Sequence, residues 1–144
     1  MTSAPFQSPG LLALSPNYGQ DHTLFISHYG LQRSTDGGDT FPTNLFGGNN
    51  SPADTGSPWF GAFRYVSFAQ GTTDPNRMYA TVQENGDADG NGDTFLGLYR
   101  SDDGGATWPL TAGGAAAGAA NGGCQCGYDQ TLGVDPQNAD RVYI

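Results

Sequence analysis

RSTDGGDTF, from Arg33 to Phe41, and RSDDGGATW, from Arg100 to Trp108, are two copies of one phrase, with Asp36 and Asp103 at equivalent places 67 positions apart. Self-similarity at a long spacing marks a repeated supersecondary unit. The match extends outward. An apolar stretch precedes each copy, TLFIS at Thr23 to Ser27 and RMYATV at Arg77 to Val82, and a third, RVYI, spans Arg141 to Ile144. TTDPNRMYA also resembles VDPQNADRVYI, with Arg77 and Arg141 separated by 64. The pattern predicts antiparallel sheets of four short strands. In the first copy these lie near Leu12 to Leu14, Leu24 to His28, Leu31 to Ser34 and Phe41 to Phe46. In the second they lie near Tyr65 to Ala69, Met78 to Gln83, Phe95 to Ser101 and Thr107 to Leu110. A third copy begins around Thr131 to Val134 and Arg141 to Ile144. LFIS and MYATV are continuous apolar runs rather than alternating ones, as expected of strands covered on both faces. Pro16, Pro75 and Pro136 sit beside strands, where a missing N–H does little harm.

Composition agrees with this reading. Of 14 acids all but Glu84 are Asp, and the 5 bases are all Arg. Glu and Lys fill exposed helix faces, whereas Asp, Asn and Gly serve turns, so almost no helix is expected. The chain has 144 residues, the length of one ordinary domain. Its 23 glycines follow no Gly-X-Y period, and aromatics make up 12%, which excludes collagen and simple disorder. A net charge of -9 without a basic stripe excludes nucleic acid as a partner. No apolar run is long enough to span a membrane, and MTSAPFQSPGLLALSP lacks the basic start and long apolar run of a signal peptide.

Ser-x-Asp-x-Gly-x-Thr-Trp/Phe resembles the Asp-box, or BNR repeat. Both copies carry it, as Ser34, Asp36, Gly38, Thr40 and Phe41, and as Ser101, Asp103, Gly105, Thr107 and Trp108. The resemblance is to the Asp-box β-propellers of sialidases, xyloglucanase-like glycoside hydrolases, sortilin-type receptors and photosystem II assembly factors. It implies an all-β fold of four-stranded antiparallel blades, of which about two and a half are present. Blade 1 would span about 11–60, blade 2 about 64–112 and the start of blade 3 about 130–144, with a Gly/Ala-rich loop at 113–127. In that family the boxes lie at the blade periphery, so their role here is expected to be structural. The Asp side chains cap a turn, the glycines adopt positive φ, and Phe41 and Trp108 turn inward. Arg33 and Arg100 stand at equivalent places before the boxes and are read as part of the repeat.

Three other features bear on function. Asp87, Asp89, Asn91, Gly92 and Asp93 fit the first half of a calcium loop, in which oxygens at alternate positions converge on one point. A Ca²⁺ site is therefore expected at Asp87, Asp89, Asn91 and Asp93. Positions nine and twelve of that loop are Phe95 and Leu98, so it lacks the closing Glu of a helical calcium hand; the competing reading is a solvated turn. Cys124 and Cys126 are too few for a structural zinc site and too close for a disulfide to close more than a tiny loop; a local disulfide is expected, with free thiols the competing reading. Trp59, Phe60, Phe63, Tyr65 and Phe68 read as filling of an interblade seam, with a carbohydrate-stacking platform as the alternative. His22 and His28 are read as ordinary polar residues near a strand.

The function expected is a non-enzymatic propeller at the cell surface or outside the cell, acting as a binding or assembly scaffold. A propeller closes with roughly four to eight blades, and RVYI leaves an apolar strand edge, so further blades or other protein chains are expected to complete the sheets. The alternative is a fragment of a secreted glycoside hydrolase, sialidase- or xyloglucanase-like, with carbohydrate as partner. It needs two carboxylates facing across a cleft, for which Glu84, Asp54, Asp74 and Asp129 are the unassigned acids.

Overall fold

The computed structural model describes residues 11–27, 31–46, 64–84, 94–111 and 131–144. Three antiparallel sheets follow one another along the chain. The first is a four-stranded meander of β1 (Leu11–Leu14), β2 (Leu24–Ser27), β3 (Leu31–Ser34) and β4 (Thr43–Phe46). The second contains β5 (Arg64–Gln70), β6 (Met78–Glu84) and β7 (Thr94–Ser101), and the third β8 (Gly133–Asp135) and β9 (Asn138–Tyr143). The one helix among the described residues is a single turn, α1 (Tyr18–Asp21), which buries no residue. It is a connector, closed by Asp21 accepting from the Ser15 hydroxyl and the Thr23 N–H, and ended by His22 at φ 49. The chain is all-β, as its Asp-for-Glu imbalance predicts.

The continuous apolar runs are the most deeply covered strands. Met78, Tyr79, Ala80, Thr81 and Val82 are buried in succession along β6, which is paired on both sides. In β2, Leu24, Phe25 and Ser27 are buried. Two strand expectations need correction. Phe41 precedes β4 and is only half-buried, because Pro42 has no N–H to offer the ladder and pairing starts at Arg33↔Thr43. The stretch from Thr107 to Leu110 forms a single bridge, Tyr99↔Leu110, for the same reason at Pro109. Its backbone still follows β7, since Pro109 O accepts from the Arg100 N–H at 3.1 Å and the Thr111 N–H donates to Leu98 O at 2.9 Å. In the third sheet, Asp135 Oδ1 accepts the Gln137 N–H at 2.8 Å, a tight turn that lets β9 resume pairing at Asn138, earlier than the expected Arg141.

The turns that join the first two strands of each sheet align the copies. The Ser15 N–H donates to Thr23 O in the first, and the Gly71 N–H to Arg77 O in the second, both at 2.9 Å. The adjoining pairs are Leu14↔Leu24 and Gln70↔Met78. Leu12 therefore corresponds to Phe68, Leu24 to Met78, and Phe25 to Tyr79. Side chains alternate faces along a strand, so each sheet has two distinct faces. One face of the first sheet, carrying Ala13, Phe25 and Leu31, meets the face of the second that carries Val66, Phe68, Met78, Ala80 and Val82. The Phe25 and Phe68 rings meet there with centroids 4.8 Å apart. Leu45 and Trp108 join the same core. The opposite face of the second sheet meets the third. There the buried Tyr79 hydroxyl donates to Ala139 O at 2.9 Å, and the Thr72 hydroxyl to Pro136 O at 2.9 Å. Gly71 allows this approach, since a Cβ on it would lie 2.9 Å from that of Ala139.

Candidate functional site

Both boxes fold into the same corner. Ser34, fully buried at the end of β3, donates to Asp36 Oδ1 at 2.6 Å while its oxygen accepts the Gly38 N–H at 2.9 Å. Asp36 in turn accepts the Thr40 N–H at 3.0 Å and the Thr40 hydroxyl at 2.5 Å. At the second corner Ser101 donates to Asp103 at 2.7 Å and accepts the Gly105 N–H at 2.8 Å, and Asp103 accepts the Thr107 N–H at 2.9 Å and its hydroxyl at 2.6 Å. Gly37, Gly38, Gly104 and Gly105 all have positive φ, a conformation that costs residues with a Cβ. Each corner is tied to the turn before its own sheet's second strand, the Gly37 N–H to His22 O at 3.0 Å and the Gly104 N–H to Asn76 O at 3.1 Å. Only the second corner anchors a ring: Trp108 is 3% exposed and its Nε1–H donates to Gly105 O at 3.0 Å.

These bonds hold both carboxylates ionised. The Ser34 hydroxyl, then the Thr40 hydroxyl and N–H, keep Asp36 well below the usual carboxylate range, and the Thr107 hydroxyl and N–H with Ser101 bring Asp103 down to about 2. A general acid must hold its proton near neutral pH, so neither box aspartate suits that role. Their oxygens are already engaged within their own loops. The corners are clamps.

Between the first sheet and the second corner lies a groove of about 540 Å³, bounded by Arg33, Thr43 and Leu45 on one side and Asp103 to Ala106 on the other. Arg33 crosses it, donating from Nη1 to Gly104 O at 3.3 Å. Arg100, its counterpart in the second copy, instead pairs with Asp102 at 2.9 Å. The two arginines share a position and not a partner.

A charged cluster joins the second sheet to the third. Arg77 lies among Asp74, Asp102 and Asp140, and Arg100 reaches Asp102 and, at 3.5 Å, Asp140. Arg77 Nε sits 2.5 Å from Asp102 Oδ1. Arg100 lowers the Asp102 carboxyl, mainly by hydrogen bonding. Sequence reading placed Arg77 and Arg100 in the repeat but missed Asp102 and Asp140 as their partners. The recurrence of an arginine just before the second strand was the signal that could have led there.

No family model, curated protein or solved structure matches the chain. Function must therefore be argued from its own residues. The calcium-loop residues Asp87, Asp89, Asn91 and Asp93, the pair Cys124 and Cys126, the acids Asp54 and Asp129, and His28, Trp59, Phe60 and Phe63 lie outside the described residues. Phe68 belongs to the seam between the first two sheets, and His22 is an exposed turn residue edge-on to Tyr18. Asp74 points to Arg77 and caps the Asn76 N–H. Among the described residues no group of three or more His, Cys, Asp or Glu could hold a metal. No helix among them is long and apolar enough to cross a membrane.

Proposed function

We propose that the chain is a run of Asp-box propeller blades that works as a binding or assembly scaffold outside the cell or at its surface, with no catalysis of its own. One observation carries the reading: two corners with the same hydrogen-bond set close two sheets in succession, and each sheet lays the same position, Phe25 or Tyr79, against the next. Successive faces covered in one direction are what a fan of blades requires. The acids also favour a scaffold over a glycosidase. Asp36 and Asp103 are locked in turns, while Asp74, Asp102 and Asp140 surround arginines. The proposal includes Ca²⁺ held by Asp87, Asp89, Asn91 and Asp93, and further blades or other protein chains would supply the partners.

A panel of fluorogenic glycosides tests the absence of catalysis. The expected result is no turnover; turnover abolished by substituting Asp54, Asp74 or Asp129 would establish the hydrolase instead. Calorimetric titration with Ca²⁺ on the unmutated protein and on Asp89→Ala tests the loop. Heat in the first and none in the second is expected, and no heat in either removes calcium from the proposal.

A further inference from the structure

Arg33 and Arg100 occupy the same place in their sheets and share a direction. Arg33 lies opposite Phe25 across β2 and β3, and Arg100 opposite Tyr79 across β6 and β7, so each guanidinium is on the face whose ring meets the following sheet. Arg100 finds two carboxylates there, Asp102 of its own corner at 2.9 Å and Asp140 of the next sheet at 3.5 Å. At both of those places the first junction has a neutral side chain. Thr35 stands where the second copy has Asp102, and Asn76, just before Arg77, stands where Asp140 precedes Arg141. Arg77 and Arg141 also have aspartates beside them, Asp102 and Asp135. Among the described residues Arg33 has no carboxylate within ion-pair distance. Its Nη1 donates to Gly104 O at 3.3 Å, long for a charged donor, and its Nε is buried without a hydrogen-bond partner. A buried N–H on a cation is costly to leave unpaired.

We propose that the groove beside Arg33 binds a ligand carrying one carboxylate, which supplies to Arg33 what Asp102 and Asp140 supply to Arg100. The site goes beyond the scaffold reading and does not depend on how many blades surround it. The groove's volume of about 540 Å³ is within the range of small-molecule pockets, roughly 300–1,000 Å³. Arg33 contributes the charge and a planar fork of donors, with Thr43 opposite it on β4 and Leu45 as apolar wall. Asp103 lines the other side, but its carboxylate already accepts from the Ser101 and Thr107 hydroxyls and the Thr107 N–H. A net charge of -9 selects against polyanions, since the rest of the chain repels each added charge, and leaves a single carboxylate held at short range as the species that fits. Carboxylate is favoured over phosphate because carboxylates satisfy the equivalent guanidinium in the second copy.

Nuclear magnetic resonance of the arginine Nε–H groups in the full chain reads the site directly. The probes are butyrate and the blocked tripeptide acetyl-Gly-Asp-Gly-amide, each beside its neutral counterpart, butanamide or acetyl-Gly-Asn-Gly-amide. The Arg33 Nε–H signal should move as a carboxylate is added and stay in place with the amides. Movement with butyrate alone identifies a free acid as the ligand, and movement with the peptide alone an acidic side chain; either supports the proposal. Followed at the Gly104 and Gly105 amides, binding should weaken about tenfold or more in Arg33→Gln. Thr35→Asp gives the first corner only what the second already holds. It should carry the Arg33 signal to its ligand-bound position without ligand and abolish the titration. A signal that answers to neither carboxylate, an equal response to the amides, inorganic phosphate binding as tightly as butyrate, or binding unchanged in Arg33→Gln overturns the proposal. If Arg33→Gln does not fold, Thr35→Asp decides alone, since a titration that persists in it has the same force. An Arg33 that only braces the sheets would lower Tm in Arg33→Gln and give no titration in the unmutated protein.

Discussion

Phe25 and Phe68 hold the first sheet against the second, and a double-mutant cycle on them measures that junction. Both rings are essentially buried, at 1% and 3% exposure, with centroids 4.8 Å apart and planes inclined by 40°. Removing either ring strips a large apolar side chain from the core and leaves a cavity, at a cost of about 3–5 kcal/mol. A domain's whole stability is of order 5–15 kcal/mol, so Phe→Ala is expected to lower Tm by roughly 10–15 °C. Phe→Leu keeps much of the volume and serves if the alanine variants do not fold. Because the rings touch, the second truncation should cost less than the first, and the double mutant should lose about 0.5–1.5 kcal/mol less than the sum of the two separate losses. Urea unfolding in a Trp59→Phe background, so that Trp108 alone fluoresces, followed by tryptophan fluorescence and by far-ultraviolet circular dichroism, reads both quantities. Trp108 lies in the same buried cluster but in the second repeat, so its signal should move when Phe25, in the first, is changed. Strict additivity, or a Trp108 transition indifferent to Phe25→Ala, would refute the packing of the two sheets into one core.

Three further outcomes are expected. Asp36 and Asp103 are lowered by their loop hydrogen bonds, Asp21 by the Thr23 N–H, Asp135 by the Gln137 N–H and Asp102 by Arg100; each favours the fold only while ionised. Their contribution is therefore complete above the unfolded-state value of about 4 and is lost as pH falls through the folded values, about 2 for Asp103, so urea midpoints should hold from pH 7 to 5 and drop between 4 and 2. Ser101→Ala strands the buried Gly105 N–H and should cost about 1–3 kcal/mol in urea unfolding, whereas a loss within error would show that the corner does not depend on that hydroxyl. Gly105→Ala forces a side chain to φ +93 with its Cβ 3.0 Å from Leu45, and should lower Tm where Gly19→Ala, which meets open space, does not.

What could be read from the chain beforehand was what the chain encodes locally. Every bond that closes a box corner on itself spans at most four residues, from Ser34 to Gly38 or Asp36 to Thr40, so the residue types and their spacing must appear together in the sequence. The same holds for the burial of β6, whose apolar run is contiguous. Phe41 and the residues from Thr107 to Trp108 were misplaced because a neighbouring proline withheld an N–H, a local fact whose effect depends on which edge of the strand faces a partner. Asp102 and Asp140 were missed for a different reason. Their value comes from Arg77, which meets Asp140, 63 residues away along the chain, only because the third sheet lies on the second.

That distinction explains why the two internal junctions differ although the corners match. The corner needs the same donors and acceptors each time, and little else satisfies them. A junction between sheets needs only to exclude water or to pair what it buries, and several chemistries do that. Between the first and second sheets the solution is apolar, with Phe25 on Phe68 and Leu45 beside Gly105. Between the second and third it is a tyrosine hydroxyl on a carbonyl flanked by arginines and aspartates, several of them exposed. Exposed ion pairs contribute about 0–1 kcal/mol each, against about 25 cal/mol for every Å² of apolar surface buried, so the first junction supplies most of the cohesion and the second mostly fixes orientation. A repeat built this way can keep its corners constant while each junction adapts to its own neighbours, which is why the corners were legible in advance and the charged partners across the second junction were not.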